Sequence, residues 1–275
     1  MTYIRANGIV HNIELRGRGE AAVLLPDIGE DLTSWSFQMG LLASRHFILA
    51  LDPRGSGWSD SPAEPYTVEM MAKDVLSLMD LIGIGKTHLI GHGMGGSIAQ
   101  AIAAERPGRV RSLTAICTPV RFTGAQRSIY SEWLKAGSEG LDPLAISERI
   151  TPWIFSSQFL RDPRWRDCVI RGRANQYRRT CWEGARNQLE AMLPHEFPRT
   201  EHTSYPALVV WGRDDRLVPP SSARELAERL PGARMVQLEG GHMLPLELVR
   251  SLVREELTFM ADVDGAPRPC WPGMM

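Results

Sequence analysis

The sequence predicts an α/β fold, built on a mainly parallel eight-stranded sheet with helices on both faces and an inserted helical segment. Three observations predict it. From Ala21 to Ile116, short apolar runs alternate with helix-length amphipathic stretches, the pattern of right-handed crossovers in a parallel sheet. A turn of small residues, Gly91-His92-Gly93-Met94-Gly95-Gly96, joins one of those runs to an Ala-rich helix. The alternation stops over residues 118–204 and resumes at Ala207-Leu208-Val209-Val210-Trp211.

Taken in order, residues 3–15 alternate loosely around Asn7-Gly8, a hairpin-turn signal, and form an antiparallel edge. Ala21-Ala22-Val23-Leu24-Leu25 reads as a buried strand that breaks at Pro26-Asp27-Ile28-Gly29-Glu30. Thr33-Ser34-Trp35 starts a helix to about Ala43. His46 to Leu51 is a second central strand running into the dense turn Asp52 to Asp60. Thr67 caps a helix with Val68, Met71, Val75, Leu78, Met79 and Ile82 along one side. Thr87 to Ile90 is a strand, Gly95 to Glu105 a helix ended by Arg106-Pro107-Gly108, and Val110 to Ile116 a further strand.

Residues 118–204 carry many of the aromatics, punctuated by prolines. They are expected to form a mostly helical cap over the carboxyl ends of the strands, where open α/β sheets bind ligands. After Trp211 come helix 221–230, strand Arg234 to Leu238 and a final helix to about Met260, with Leu248, Leu252, Glu256 and Phe259 on a semi-buried face. The expected layout is a core of 1–117 and 205–265, a cap of 118–204, and a tail of 266–275 from which Trp271 could dock back.

At 275 residues and 43% hydrophobic content, the chain can bury one large core. Its 31 basic and 32 acidic residues balance to a formal charge of -1, which argues against a nucleic-acid or polyanion partner. Cys117, Cys168, Cys181 and Cys270 form neither a CxxC pair nor a zinc spacing, so reduced thiols in a cytoplasmic protein are expected. The start has no leader-like apolar stretch, and no apolar run approaches the roughly 18 residues of a membrane span, so no membrane partner is expected. A homodimer is compatible with the sequence.

The small-residue turn carries the chemistry. In a nucleophile elbow, G-x-S-x-G, the glycines let strand and helix approach while the serine is held at a strained peak. Gly91 and Gly95 supply the flanking positions, but the centre is Gly93, which has no side chain. An elbow serine acts with a base and an orienting acid, which follow in chain order as acid and then histidine. Asp215 follows the Val209-Val210-Trp211 strand, and His242 follows the next strand beside Gly240-Gly241. Asp214 is the rival acid; Asp215 is preferred because it sits nearer the helix side of the turn.

With Leu24-Leu25-Pro26-Asp27-Ile28-Gly29, Asp52-Pro53-Arg54-Gly55-Ser56-Gly57-Trp58-Ser59, the glycine turn, Gly212-Arg213-Asp214-Asp215 and Gly240-Gly241-His242, the chain resembles the α/β-hydrolase superfamily over nearly its whole length. Within it, the elbow, short cap and Glu239-Gly240-Gly241-His242-Met243-Leu244-Pro245 look similar to small bacterial esterases that include polyketide methylesterases of secondary metabolism. The resemblance implies Asp215 as acid, His242 as base, and the amides of Ile28 and Met94 as an oxyanion hole. It also marks two departures. Gly93 stands where the family carries Ser, or less often Asp or Cys. Pro26-Asp27 stands where many relatives carry His-Gly, placing a carboxylate beside the hole, where it would repel an oxyanion, stay protonated, or point away.

Other residues are candidates at the same site. Trp35, Met94, Trp153, Phe155, Tyr177 and Trp182 are candidate pocket walls, with core packing the competing role. His92 precedes the turn and Cys117 follows a central strand, and both are candidate pocket residues. Ser97 lies too deep in the helix. His195 and His202 have no metal spacing, so no metal is expected. Gly91 to Gly96 also fits G-x-G-x-x-G, but the element is internal to the sheet rather than first, so no dinucleotide or other cofactor is expected.

Three readings of Gly93 follow. An esterase has lost its nucleophile, by nature or by design; or His242, oriented by Asp215, acts directly as general base in proton abstraction, cyclisation, elimination, decarboxylation or noncovalent hydrolysis; or the chain is an inactive protein that binds a small molecule. In each case the partner is a hydrophobic small molecule with a carbonyl or ester.

Overall fold

The computed structural model describes residues 2–197 and 204–269. His202, Cys270 and Trp271 lie outside the described residues. The eight strands are β1 (Thr2–Ala6), β2 (Ile9–Arg16), β3 (Ala21–Leu25), β4 (Phe47–Leu51), β5 (Thr87–His92), β6 (Val110–Ile116), β7 (Ala207–Gly212) and β8 (Arg234–Leu238). They form one sheet in the order β1-β2-β4-β3-β5-β6-β7-β8. The first two pairings are antiparallel and the rest parallel. The expected hairpin turn is built on Asn7 at φ 48° and Gly8 at φ 86°, the two left-handed residues that a tight hairpin needs.

The helices, in chain order, are α1 (Ser36–Leu42), α2 (Val68–Ile82), α3 (Met94–Glu105), α4 (Gly124–Ser138), α5 (Pro143–Ile154), α6 (Ser157–Leu160), α7 (Pro163–Tyr177), α8 (Trp182–Met192), α9 (Pro220–Arg229), α10 (Leu244–Glu247) and α11 (Val249–Asp264). Thr67 caps α2 through Met70 N, as its sequence position suggests. Strand alternation divides the core in two. Val23, Leu25, Leu49, Leu89 and Leu113 pack on the side of α2 and α3, whereas Ala22, Leu24, Ile48, Ile90 and Val210 pack on the side of α1 and α11. Full burial on both faces is why these strands read as continuous apolar runs.

The five helices α4–α8 occupy the stretch between β6 and β7 where the sheet pattern is interrupted. One of their close contacts with the core lies where α8 crosses the Asp52 turn. A Cβ on Gly55 would lie 2.8 Å from Gly184 Cα, and Gln188 Nε2 donates to Arg54 O at 2.7 Å.

The semi-buried face expected of the last helix holds a fully buried acid. Glu256 has 0% exposure and neither carboxylate oxygen has a protein partner. Burial pushes its carboxyl up to about 8. A folded-state value above the unfolded one of 4.5 keeps Glu256 protonated in the fold and costs stability as pH rises from 4.5 through 8. Glu256→Met is expected to raise the stability measured by urea unfolding at pH 8 by on the order of 2–3 kcal/mol, and to have little effect at pH 4.5. Equal shifts at both values would mean the acid is not buried in its neutral form.

Candidate active site

The turn after β5 has the strained backbone of an elbow, with Gly93 at φ 52° and ψ -116°. The neighbouring glycines are required by contact: a Cβ at Gly91 would meet the Gly95 carbonyl at 2.3 Å, and one at Gly95 would meet Leu25 O at 2.0 Å. Gly93 is different. A Cβ there would meet a side chain, the Asp27 carboxylate, at 2.1 Å from Oδ1, 2.2 Å from Cγ and 2.6 Å from Oδ2. Asp27, from the loop after β3, therefore occupies the space in which a residue-93 side chain would start.

Three elements hold that carboxylate. Oδ1 accepts from the Met94 amide at 2.7 Å, and Oδ2 accepts from the Tyr130 hydroxyl at 2.8 Å. His242 Nε2 lies 3.1 Å from Oδ2, and His242 Nδ1 lies 2.9 Å from Asp215 Oδ2. Asp215 is fixed in turn by the amides of Leu217 and Val218 at 2.9 and 2.7 Å. The result is a buried line of carboxylate, imidazole and carboxylate. Asp214, the rival acid, is exposed.

This geometry sets the charges. Burial by itself would lower the His242 pKa, but the Asp215 charge and hydrogen bond, with the Asp27 hydrogen bond, outweigh it and raise it well above 6.5. Burial would likewise raise the Asp27 carboxyl, but hydrogen bonding to His242, the charges of His242 and His92 and the Met94 amide hold it below the usual carboxylate range. The geometry thus favours a cationic imidazole held between the two carboxyl groups. The Tyr130 phenol is pushed well above 10, first by burial and then by the adjacent Asp27 charge, so it remains a hydroxyl donor.

A small cavity of about 30 Å³ opens beside this line. Asp27 and His242 meet it on one side. Tyr130 and Trp133 of α4 and Arg173 and Tyr177 of α7 meet it on the other, with isoleucines between. Arg173 is buried and donates to Glu30 Oε1 at 2.7 Å and to Tyr177 Oη at 2.7 and 3.0 Å.

The structure brings together Asp27, Gly93, Met94, Asp215, His242 and Tyr177, all named from the sequence, and Ile28 is part of the cavity wall. Other expectations need correction. The Met94 amide faces Asp27 rather than an open oxyanion position, because the two departures from the family pattern fill one space. Trp35 is fully buried in the core beside α1 and α11, since Trp35 packs with the opposite face of the sheet. Trp153 is 44% exposed and borders a separate surface groove. Trp182 packs edge-on against Trp133 at 5.2 Å, behind the cavity wall, and Phe155 stacks on Phe159 at 5.3 Å. His92 and Cys117 lie behind His242: His92 Nε2 is 3.0 Å from His242 O, and burial pushes the Cys117 thiol up to about 12. Tyr130, Trp133, Arg173 and Glu30 were not found from the sequence. Tyr130 and Asp27 are 103 positions apart, and no local pattern joins them.

His92 makes the fold sensitive to acid. Burial first, and then the His242 charge, hold it at about 4, against 6.5 in an unfolded chain. The unfolded chain therefore binds a proton that the fold refuses between those values, and stability falls as pH drops from 6.5 towards 4. Moving from pH 7 to 4.5 is expected to cost roughly 2–3 kcal/mol through His92. His92→Gln should flatten urea midpoints over that window; an unchanged slope would contradict the assignment.

A strained glycine elbow between β5 and α3, with an acid and a histidine after β7 and β8, is the arrangement of one fold class. The chain belongs to the alpha/beta hydrolase fold family, whose profile matches residues 23–141 and 150–247. It is 30% identical over 262 residues to the dihydrolipoyllysine-residue acetyltransferase component of an acetoin cleaving system from Pseudomonas putida, covering 90% of this chain and 65% of that protein. The chain thus spans just under two thirds of that relative. A putative carbamate hydrolase RutD from Azorhizobium caulinodans is 28% identical over 238 residues, covering 83% of this chain and 86% of the relative. In structure, the enol-lactonase from Burkholderia xenovorans LB400 superposes with a TM-score of 0.86 at 27% identity, covering 94% of this chain and 100% of the enzyme. Among the described residues, no helix is long and apolar enough to cross a membrane.

Proposed function

We propose that this chain is a cofactor-independent enzyme that acts on a small, largely apolar carbonyl or ester compound without forming an acyl-enzyme at residue 93. The observation that carries this reading is the Asp27 carboxylate, which fills the place of an elbow side chain and pairs with His242. A protein that only bound ligand would have no chemical need for a buried imidazolium held by two carboxylates. The helices α4–α8 act as the cap that closes over it. The substrate class is supported by the apolar cavity wall and by the names of two relatives, an enol-lactonase and a carbamate hydrolase.

The proposed step is bifunctional. Asp27 takes a proton from substrate or from an attacking water, while His242 releases its Nε2 proton to the oxygen that gains charge. Asp27 is then a carboxylic acid and His242 a neutral imidazole. Proton return from Asp27 to His242 restores the resting pair, so no net proton is gained or lost. Asp215 positions the ring and favours its cationic form. Tyr130, as a neutral donor, steadies Asp27 and borders the substrate.

The reading replaces His242 as the resting base with Asp27 and His242 as a coupled pair. It also weighs against a lost nucleophile as the whole explanation, because restoring a serine at 93 would collide with Asp27. The test is turnover of small aryl esters and enol-lactones by the chain as it stands. Activity abolished in His242→Gln and in Asp27→Asn supports the reading. Undiminished turnover in either variant, or tight ligand binding with no turnover of any tested ester or lactone, would overturn it.

A Tyr130→Phe substitution tests the hydroxyl separately. It removes one donor to a charged acceptor, and kcat is expected to fall roughly tenfold, in the range of a charge-assisted hydrogen bond. An unchanged kcat and an unchanged pH profile would exclude Tyr130 from the chemistry.

A further inference from the structure

A second group of converging side chains lies at the other end of the sheet. His46 immediately precedes β4, His88 is the second residue of β5, and Asp264 ends α11. His88 and Gly93 are five residues apart on one extended segment, so the group stands roughly 15 Å from the elbow. His46 and His88 are 5% and 0% exposed. One nitrogen of each ring and one oxygen of Asp264 lie within 4.8 Å of one another.

Hydrogen bonding alone leaves this group unfinished. His88 Nε2 is 3.2 Å from Asp264 Oδ2, but His46 Nε2 is 3.6 Å from the same oxygen, beyond a hydrogen bond. His46 Nδ1 also has no partner. A buried imidazole with one nitrogen unsatisfied and the other held only at long range is costly, and this one aims at a carboxylate already held by another ring. The spacing suits a different occupant. Bonds of about 2.0–2.2 Å in a tetrahedral zinc site hold donor atoms roughly 3.3–3.6 Å apart. The two observed separations from Asp264 Oδ2 bracket that range.

We propose that His46 Nε2, His88 Nε2 and Asp264 Oδ2 form a divalent-cation site suited to Zn²⁺, which ties the end of α11 to the amino ends of β4 and β5. The surroundings match a ligand set. His88 Nδ1 is held by Ser112 Oγ at 2.7 Å, leaving Nε2 for the metal and fixing the ring. Asp264 Oδ1 accepts from Arg111 at 3.2 Å, which directs Oδ2 inward as a single donor. The Arg111 charge is itself paired with Glu20 at 2.5 Å. Two imidazole nitrogens and one carboxylate oxygen, beside a guanidinium already paired with Glu20, favour a cation of borderline softness. The fourth position would be taken by water. Distance from Asp27 and His242 makes the role structural.

The test uses protein stripped with a chelator and then titrated with Zn²⁺ alone, followed by calorimetry and thermal unfolding. One equivalent is expected to bind per chain and to raise Tm by roughly 5 °C at saturating metal. His46→Gln and Asp264→Asn, both close in shape to the original, should each weaken binding at least tenfold and remove the Tm shift. Cys117→Ala should keep both, which separates this site from the cluster of His92, Cys117 and His242. Circular dichroism of the metal-free variants establishes that they are folded. Absence of a Zn²⁺-dependent shift in the original chain, or a shift that survives in both ligand variants, overturns the proposal.

Discussion

Asp27→Asn is expected to lower kcat by at least a hundredfold, with KM changed only a few-fold. The amide keeps the size of the carboxylate and still fills the space above Gly93, so the cavity and backbone are preserved. It cannot take up a proton at neutral pH, and it removes one of the two charges that hold His242 as a cation. Loss of a positioned acid–base group costs about 10²–10⁴ in rate. A fall in kcat and in kcat/KM together marks an interaction made in the transition state. The same variant should shift the basic limb of the pH–rate profile to lower pH, because only Asp215 then supports the imidazolium. Full activity in Asp27→Asn would leave Asp27 as a space-filling residue and end the proposed relay.

The second large effect is a reciprocal exchange. Gly93→Ser by itself is expected to gain no esterase activity and to lose about 1–3 kcal/mol of stability, since its Cβ would enter the Asp27 carboxylate and its backbone sits at φ 52°. Asp27→Gly with Gly93→Ser removes the obstruction and frees the Met94 amide. The pair would place a serine hydroxyl beside His242, which is held by Asp215. Esterase activity with a pre-steady-state burst, at least a hundredfold above the single variant, is the expected result. Higher activity in Gly93→Ser than in the exchange would show that Asp27 does not stand in the nucleophile's place.

The two substitutions explain why the sequence alone went only part of the way. The sheet was legible because its central strands are buried on both faces and so read as unbroken apolar runs, such as Ala21 to Leu25. Asp215 and His242 were legible because each follows a strand in the chain order that the fold imposes. Asp27 and Gly93 were each visible as an oddity. What was missing was that they are one feature: a carboxylate from one loop compensates for an absent side chain on another, 66 positions away in the sequence. Departures at two places that converge in a known fold are better read as a pair than singly. Tyr130 and Arg173 had no such signal. They reach the cavity from helices whose faces are polar in composition, and only the tertiary arrangement of α4 and α7 brings them there. Trp35 failed for the opposite reason: a large aromatic near the site looks like a pocket wall, but the single helical turn Leu32–Trp35 buries it in the other core.

The charge state of His242 is the most direct test of the account, because it depends on both carboxylates at once. Nitrogen-15 NMR of the ring, followed from pH 5 to about 9 in the original chain and in Asp27→Asn, reads it without a substrate. Both ring nitrogens of the original chain are expected to be protonated at pH 7.5, and Asp27→Asn to titrate at a lower pH. A neutral ring at pH 7 in the original chain, or an identical titration in the two proteins, would contradict it.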